Sequence, residues 1–384
     1  MGADVQSVTP STILFVDHGE GMGGAEHSLL QLMRGLDRLR YRPILACEEG
    51  PLARAAREAS IETAITPIRP LRGRPAALFD LWRSGRRLAA LARREGARIL
   101  HANTMRASFA AALAARLSGR TLIWHARDIF GAGQIGGTWY PWLMSRLARV
   151  VIANSRAVAA SISRPDVRVV YNGVELGRFD PGRKPHTARA ALGLTACPIL
   201  IGTVGRMQPW KGHHLFLQAA ERVIHELPEA RFLIVGGRVF QADAGYEDEL
   251  HAQAVAAGIA DHVHFAGQQD NIGDWLAAMD IFAHCSKAEP FGRVVVEAMA
   301  AARPVVAFAD GGVPEIVADG TTGILASPGD TSALADAMLA LARDPALGAQ
   351  MGQAGRVRAE AFFSATAHCR QVEAVYDSIV HPSQ

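Results

Sequence analysis

A chain of 384 residues is too long for one typical core and fits two domains of about 150–200 residues each. With 49% hydrophobic and 20% charged residues its composition is ordinary for a globular protein, which excludes disorder as the default, and a net charge of +3 is too small to argue for nucleic acid. Cys47, Cys197, Cys285 and Cys369 are scattered with no CxxC pair, so neither a disulfide framework nor a zinc knuckle is indicated and a reducing, cytoplasmic setting is the simplest expectation.

The opening stretch MGADVQSVTPSTILFVDHG has no basic segment before its short apolar run and does not read as a signal peptide. No uncharged apolar run reaches the length of about 20 residues that spans a membrane, so any membrane contact is expected to be peripheral. After the first strand, TILFVD, comes the loop DHGEGMGGAEHS, in which Gly19, Gly21 and Gly24 match GxGxxG. Glu48 or Glu49, after PILACEE, stands where a dinucleotide site wants an acid, which leaves an NAD-dependent oxidoreductase open. Alternatively, Gly23 and Gly24 open a helix whose bare amides approach a phosphate or a sugar without any dinucleotide.

Between Arg69 and Arg98 nine arginines stand against Asp80 and Glu95. Within residues 75–97, Leu78, Leu81, Trp82, Leu88 and Leu91 recur at roughly helical spacing with arginines between them, an amphipathic basic helix. It fits a solvated helix whose apolar stripe faces the core, or a helix lying on anionic lipid at the inner membrane face. The runs RILHAN, TLIWHA and VVIANS follow as buried strands, and His125 sits at the end of one, beside Arg127 and Asp128. A structural histidine and a ligand contact both explain it. The Trp139, Tyr140 and Trp142 cluster fits core packing, or an acceptor that is lipid-linked or part of an envelope glycan.

A Gly-, Pro- and charge-rich linker, with its hinge placed at 173–190, separates this series from a second: PILIGTVG, RFLIVGG, VHFAG, DIFAHCS, RPVVAFA and GILAS. Strands alternating with helices imply βαβ units, so the fold class is α/β, with two doubly wound Rossmann-like domains facing across a cleft. The boundaries predicted are 1–175, 176–365 and a terminal helix over 366–384 whose docking is open. Functional residues are expected just beyond strand ends.

In IGTVGRMQPWKGHH, Arg206 follows a strand and Lys211 follows a proline turn, two cations that suit a diphosphate, Arg as a planar fork and Lys as a point charge. No GxxxxGK[ST] occurs, which excludes a P-loop. His213 with His214, and His262 with His264, lack a third ligand at regular spacing, and there is no Asp-x-Asp, so no metal is expected. In EPFGRVVVEA, a helix starting near Gly292 would place Glu289 on the loop and Glu297 inside the helix, with the amides of Gly292, Arg293 and Val294 at an anion-binding helix start. Such a pair of carboxylates suits a ligand carrying phosphate and hydroxyls, as a nucleotide sugar does. The stretch DGGVPEIVADGTTGIL reads, taken alone, as a turn.

Taken in order, GGAEHS, WHARD, ANSRAVA, YNGVELGRFDP, VGRMQPWKGHH, VHFAG, EPFGRVVVEAMAAARPVVAF and GGVPEIVADGTTGIL resemble the retaining glycosyltransferases of family 4, which have the GT-B fold. The likeness runs from about residue 12 to residue 345, and the E-x7-E pair in its Phe-Gly setting is its most specific part. The resemblance implies that Glu297 holds the ribose hydroxyls of a nucleoside-diphosphate sugar, UDP-linked by family preference, and that Glu289 holds the donor sugar. It implies that the amides of Phe291, Gly292 and Arg293 lie near sugar and phosphates, that Arg206 and Lys211 neutralise the diphosphate, that Gly24, next to Gly23, approaches it, and that His125 meets the sugar. Front-face transfer with retention, metal-independent, to a hydroxyl of an envelope glycan, a lipid-linked or a small-molecule acceptor in polysaccharide biosynthesis is the expectation. A nucleotide-sugar epimerase or binding protein on the same fold remains an alternative.

Overall fold

The computed structural model describes residues 9–19, 21–69, 76–131, 137–182, 186–195, 197–237 and 245–381. Arg72, Arg74 and Pro75 of the basic segment, and 183–185 of the linker, lie outside the described residues. The chain divides into two compact units, Met1–Gly173 with Ala365–Gln384, and Val174–Ser364.

In the first unit the strands β1 (Ser11–Val16), β2 (Tyr41–Cys47), β3 (Glu62–Ile65), β4 (Ile99–Ala102), β5 (Thr121–Ala126), β6 (Val150–Ala153) and β7 (Arg168–Val169) alternate with helices α1 (Gly24–Gly35), α2 (Pro51–Glu58), α3 (Ala77–Arg94), α4 (Met105–Ser118), α5 (Trp139–Leu147) and α6 (Arg156–Ala160). The second contains α7 (His186–Ala191), β8 (Leu200–Val204), α8 (His213–Glu226), β9 (Arg231–Val235), α9 (Tyr246–Ala256), β10 (Val263–Gly267), α10 (Ile272–Ala278), β11 (Ile281–His284), α11 (Arg293–Ala300), β12 (Val305–Phe308), α12 (Val313–Ile316), β13 (Gly323–Ala326), α13 (Thr331–Arg343) and α14 (Pro345–Phe362). The chain then returns to the first unit as α15 (Ala365–Val380).

Both sheets are parallel throughout and doubly wound, in the orders β3-β2-β1-β4-β5-β6-β7 and β10-β9-β8-β11-β12-β13. Ile13 to Val16 are fully buried, as are Ile201, Phe232, Phe282 and Val305, because helices cover both faces of each sheet. Strand order reverses beside β1 and beside β8, so the loops after β1, β4, β8 and β11 flank the switch points where such sheets take ligands. Strands β3 and β7 lack the continuous apolar runs expected of strands here. They are short edge strands, partly exposed, whose neighbours rather than their own sequence define them.

Helix α3 corrects the expected apolar stripe. Leu88 and Leu91 are buried, whereas Leu78 and Trp82 are 80% and 45% exposed, with Phe79 beside them at 57%. Small residues set this rotation: a Cβ on Gly85 would lie 2.6 Å from Leu113 of α4, so Ser84, Gly85, Ala89 and Ala92 form the close face. Helix α15 docks against α1. A Cβ on Gly35 would lie 2.5 Å from the Cys369 sulfur, and the Asp37 amide donates to Glu373 Oε1 at 2.7 Å. Cys369, Val372, Val375 and Tyr376 complete the core cluster that contains Ile13, Phe15 and Leu29. Among the described residues no helix is long and apolar enough to cross a membrane.

Candidate functional site

The second unit builds its site from the loops after β8 and β11. Beyond Gly205, Arg206 begins a connection that tightens into a 3-10 turn over Pro209–Lys211 and enters α8 through Gly212. Gly212 has φ +72°, and a Cβ there would meet the Cys285 carbonyl oxygen at 2.0 Å. Only glycine lets this turn press against the end of β11, where the Lys287 amide donates to the Trp210 carbonyl at 2.8 Å. That closure carries Lys211 to Glu289: Nζ donates to Oε2 at 2.6 Å, with side chains 13% and 9% exposed. His284 Nε2 stands 3.3 Å from the same oxygen. Burial alone would raise the Glu289 carboxyl, but Lys211 and His284 hold it below the usual carboxylate range. Burial in turn pushes His284 below the usual imidazole value.

The turn of DGGVPEIV acts as a clamp on this acid. The Gly312 amide donates to the Glu289 carbonyl at 2.8 Å, and the Ala288 amide donates to Asp310 Oδ2 at 2.9 Å. Gly311 has φ +59°, and a Cβ there would lie 2.1 Å from the Glu289 carbonyl oxygen. Ala288 itself is left-handed at φ 50°, a strained conformation next to the acid.

Helix α11 starts at Arg293 after Gly292, whose φ is +97°. The Val295 and Val296 amides bond back to the Gly292 carbonyl at 2.9 and 3.3 Å, so the Arg293 and Val294 amides occupy the helix start, where in-helix partners are lacking. Glu297 lies one turn inside and accepts from Arg293 Nε at 2.8 Å. The two glutamates therefore have separate partners, one on each side of the helix start. The Phe291 side chain is buried against Phe363, which leaves only its main chain for a ligand. Trp210, not singled out in the sequence, joins the two cations: Arg206 Cζ is 6.0 Å and Lys211 Nζ 4.1 Å from its ring centroid. The Arg206 carbonyl accepts from His213 Nε2 at 3.1 Å, and burial lowers that imidazole to about 4.

In the first unit, Gly23 precedes α1 and its amide donates to Glu26 Oε2 at 2.8 Å. That amide is thus engaged within the chain, contrary to the expectation of a bare one. A Cβ on Gly24 would meet nothing within 4 Å, so packing does not call for glycine there. Asp17 is buried, accepts from Asn103 Nδ2 at 2.7 Å and from the Gly19 amide at 2.9 Å, and burial with Glu26 nearby raises its carboxyl to about 6. Among the described residues, Asp17, His18 and Glu26 are the group whose potential metal-ligand atoms all fall within 4.8 Å of one another, yet Asp17 and Glu26 spend oxygens on these amide bonds. Glu48, the acid a dinucleotide reading needs, accepts from the Ile68 amide at 2.8 Å, and Glu49 pairs with Arg57.

His125 is fully inside the first unit, in a polar chain that the sequence did not disclose. Its Nδ1 is 3.1 Å from His101 Nε2, and Arg127 Nη2 is 3.4 Å from the same atom. Arg127 also donates to Asn103 Oδ1 at 2.6 Å and Asn172 Oδ1 at 2.7 Å. The Nε2 of His125 is buried with no hydrogen-bond partner among the described residues.

The family model of glycosyl transferases group 1 matches residues 186–358, and that of glycosyltransferase family 4 matches residues 22–178. A lipopolysaccharide core biosynthesis mannosyltransferase, LpsB of Rhizobium meliloti, is 33% identical over 244 residues, covering 63% of this chain and 69% of the relative. A D-inositol 3-phosphate glycosyltransferase of Streptomyces avermitilis is 40% identical over 205 residues, 52% of this chain and 44% of the relative, so the chain spans under half of that protein. Among solved structures, Anabaena Alr3699/HepE in complex with UDP and glucose superposes with a TM-score of 0.85 at 26% identity, covering 96% of this chain and 100% of that one.

Proposed function

The chain belongs to the glycosyltransferases of family 4, with the GT-B fold, and is a glycosyltransferase; on that premise we propose that it moves a hexose from a UDP-sugar to an acceptor hydroxyl with retention. The observation that carries the donor reading is the buried Lys211–Glu289 pair beside Arg206 at the strand ends of the second unit. Arg206 and Lys211 supply two fixed positive charges for a diphosphate and stabilise the charge that grows as it leaves. Glu289 is kept ionised, able to accept from sugar hydroxyls, and Glu297 to accept from the ribose. The amides at the start of α11, from Phe291 to Arg293, suit phosphate and sugar oxygens. From the first unit, His125 is assigned to the sugar, and Gly24, where packing leaves room, to the diphosphate by close backbone approach. The sugar gains oxocarbenium character, the departing phosphate stays close, and the acceptor enters on the same face. With two cations on the diphosphate, the reaction needs no metal, so EDTA is expected to leave turnover unchanged.

The base is assigned as uracil because a neighbour of similar fold was solved with UDP and glucose. The relatives' names favour an acceptor in envelope glycan synthesis, a lipopolysaccharide core sugar or a polyol phosphate. The experiment is thermal unfolding with UDP, GDP, ADP and NAD separately, where a ligand at 100 times its dissociation constant adds about 2.7 kcal/mol. Stabilisation by UDP alone supports the reading; stabilisation by NAD alone overturns it in favour of the N-terminal glycine loop. Retention is read from the anomeric configuration of the product.

A peripheral contact with anionic membrane is a second part of the proposal. Exposed Leu78, Phe79 and Trp82 on α3 and exposed Trp139 and Trp142 on α5 are accompanied by Arg86 over the Trp82 ring at 4.7 Å and Arg146 over the Trp142 ring at 4.2 Å. Such aromatic and cationic side chains suit a lipid headgroup layer.

A further inference from the structure

The polar chain around His125 ends on the C-terminal helix. Tyr376 of α15 is fully buried, and its hydroxyl lies 2.7 Å from His101 Nδ1, its one hydrogen-bond partner among the described residues. His101 Nε2 is 3.1 Å from His125 Nδ1. Two proton arrangements satisfy the distances. If Tyr376 donates to His101 Nδ1, then His101 carries its proton on Nε2 and donates to His125 Nδ1, and His125 must carry its own proton on Nε2. In the reverse arrangement His125 Nδ1–H donates to His101 Nε2, and His101 Nδ1–H donates to the tyrosine. The reverse leaves the buried tyrosine proton without an acceptor and turns an Arg127 N–H, 3.4 Å away, toward another N–H on His125 Nδ1. The first arrangement leaves one buried group, His125 Nε2–H, without a partner among the described residues, whereas the reverse leaves the tyrosine proton and a bare His125 Nε2 unpaired and sets two N–H groups against each other. Each unsatisfied buried group costs about 1–3 kcal/mol, so the first arrangement prevails.

We propose that Tyr376 is a positioning residue which, through His101, holds His125 as the Nε2–H tautomer, so that the first unit presents a buried hydrogen-bond donor to an oxygen of its ligand. Burial foremost, with Arg127 close by, keeps both imidazoles well below their usual range, so the chain stays neutral at physiological pH. Arg127, His368 and Tyr376 are the titratable or charged groups facing the pair. Nε2 of His125 is the atom of this series that nothing among the described residues satisfies, which marks it as the end of the relay. The choice of a sugar hydroxyl oxygen as its acceptor rests on the transferase reading. The tautomer itself does not.

The test is nitrogen-15 NMR of the full chain labelled at its histidine nitrogens, with His125→Gln identifying the His125 signals. The expected spectrum shows His125 protonated at Nε2 and bare at Nδ1, unchanged from about pH 5 to pH 8. A wild-type His125 that is protonated at Nδ1, or charged in that range, overturns the proposal without need of any variant. In Tyr376→Phe the single-tautomer signal is expected to give way to a mixture, while His101→Phe, which removes the donor altogether, gives the same loss. A pure Nε2–H signal in folded Tyr376→Phe means that the helix does not set the tautomer. Nucleotide-dependent stabilisation is measured separately, so failure of the donor reading leaves this result standing.

Discussion

Lys211→Met should expose how much the site depends on its buried ion pair. At 2.6 Å the two charges attract by roughly 6 kcal/mol at an effective dielectric of about 20, and desolvation of two nearly buried ions cancels most of that. Removing one partner cancels the attraction but not the remaining carboxylate's desolvation, which costs about 3–5 kcal/mol. For a unit of this size the melting midpoint should fall by about 6–20 °C at pH 7, followed by circular dichroism. The pH dependence has a definite sign. In the native protein Glu289 is held below the usual carboxylate range, so its stabilisation is present above the unfolded value of about 4.3 and is lost as pH falls through the lower folded value. In Lys211→Met only His284 still opposes burial at Glu289, so its folded value rises from its native position, and the penalty appears as pH rises. The gap between the two proteins should thus be widest at neutral pH and narrow toward pH 4. Lys211→Met with Glu289→Gln, neutral facing neutral, should recover most of the loss. A single variant melting within about 2 °C of the native protein at pH 7, or a double variant no better than the single, would refute the argument.

Glu297→Ala should abolish sugar transfer and nucleotide-dependent stabilisation while leaving the melting midpoint of the free protein within a few degrees, as its pair with Arg293 is a single helical contact; near-normal turnover would sink the donor assignment. Gly311→Ala should lower the midpoint and abolish transfer, because the new Cβ lies 2.1 Å from the Glu289 carbonyl oxygen and the backbone is left-handed, and a fully active, equally stable variant would disprove the clamp. Flotation with anionic vesicles should capture the protein at low salt, and Trp82→Ala with Trp142→Ala should weaken capture. Equal recovery on neutral vesicles would remove the case for a basic membrane face.

The residues that make up the second unit's candidate site were mostly legible in the sequence because they lie at strand ends marked by glycine and proline. Gly292 announced the start of α11, and Pro209 the turn that delivers Lys211. What stayed hidden depends on long-range packing. His284 looks like an ordinary strand residue until the α8 turn brings Lys211 to the same carboxylate, and Trp210 looks like a core aromatic. In the first unit the gap is wider: His101 with Asn103, Asn172 and Tyr376 come from three distant segments, and no local period links them to His125. Strands β3 and β7 escaped because edge strands this short have no hydrophobic pattern of their own. The rotation of α3 escaped because small residues, not the leucine stripe, made the closest contact.

Helix α15 also bears on the order in which a nascent chain can fold. The first unit needs Cys369, Val372, Val375 and Tyr376 to close its core, and these leave the ribosome only after the whole of the second unit. The second unit is contiguous from Val174 to Ser364, so it holds all its own strands before the first unit is complete. Although domains commonly mature in the order of synthesis, here the later-made unit can finish first, while the earlier one waits with an apolar groove beside α1 exposed to chaperones and to other nascent chains.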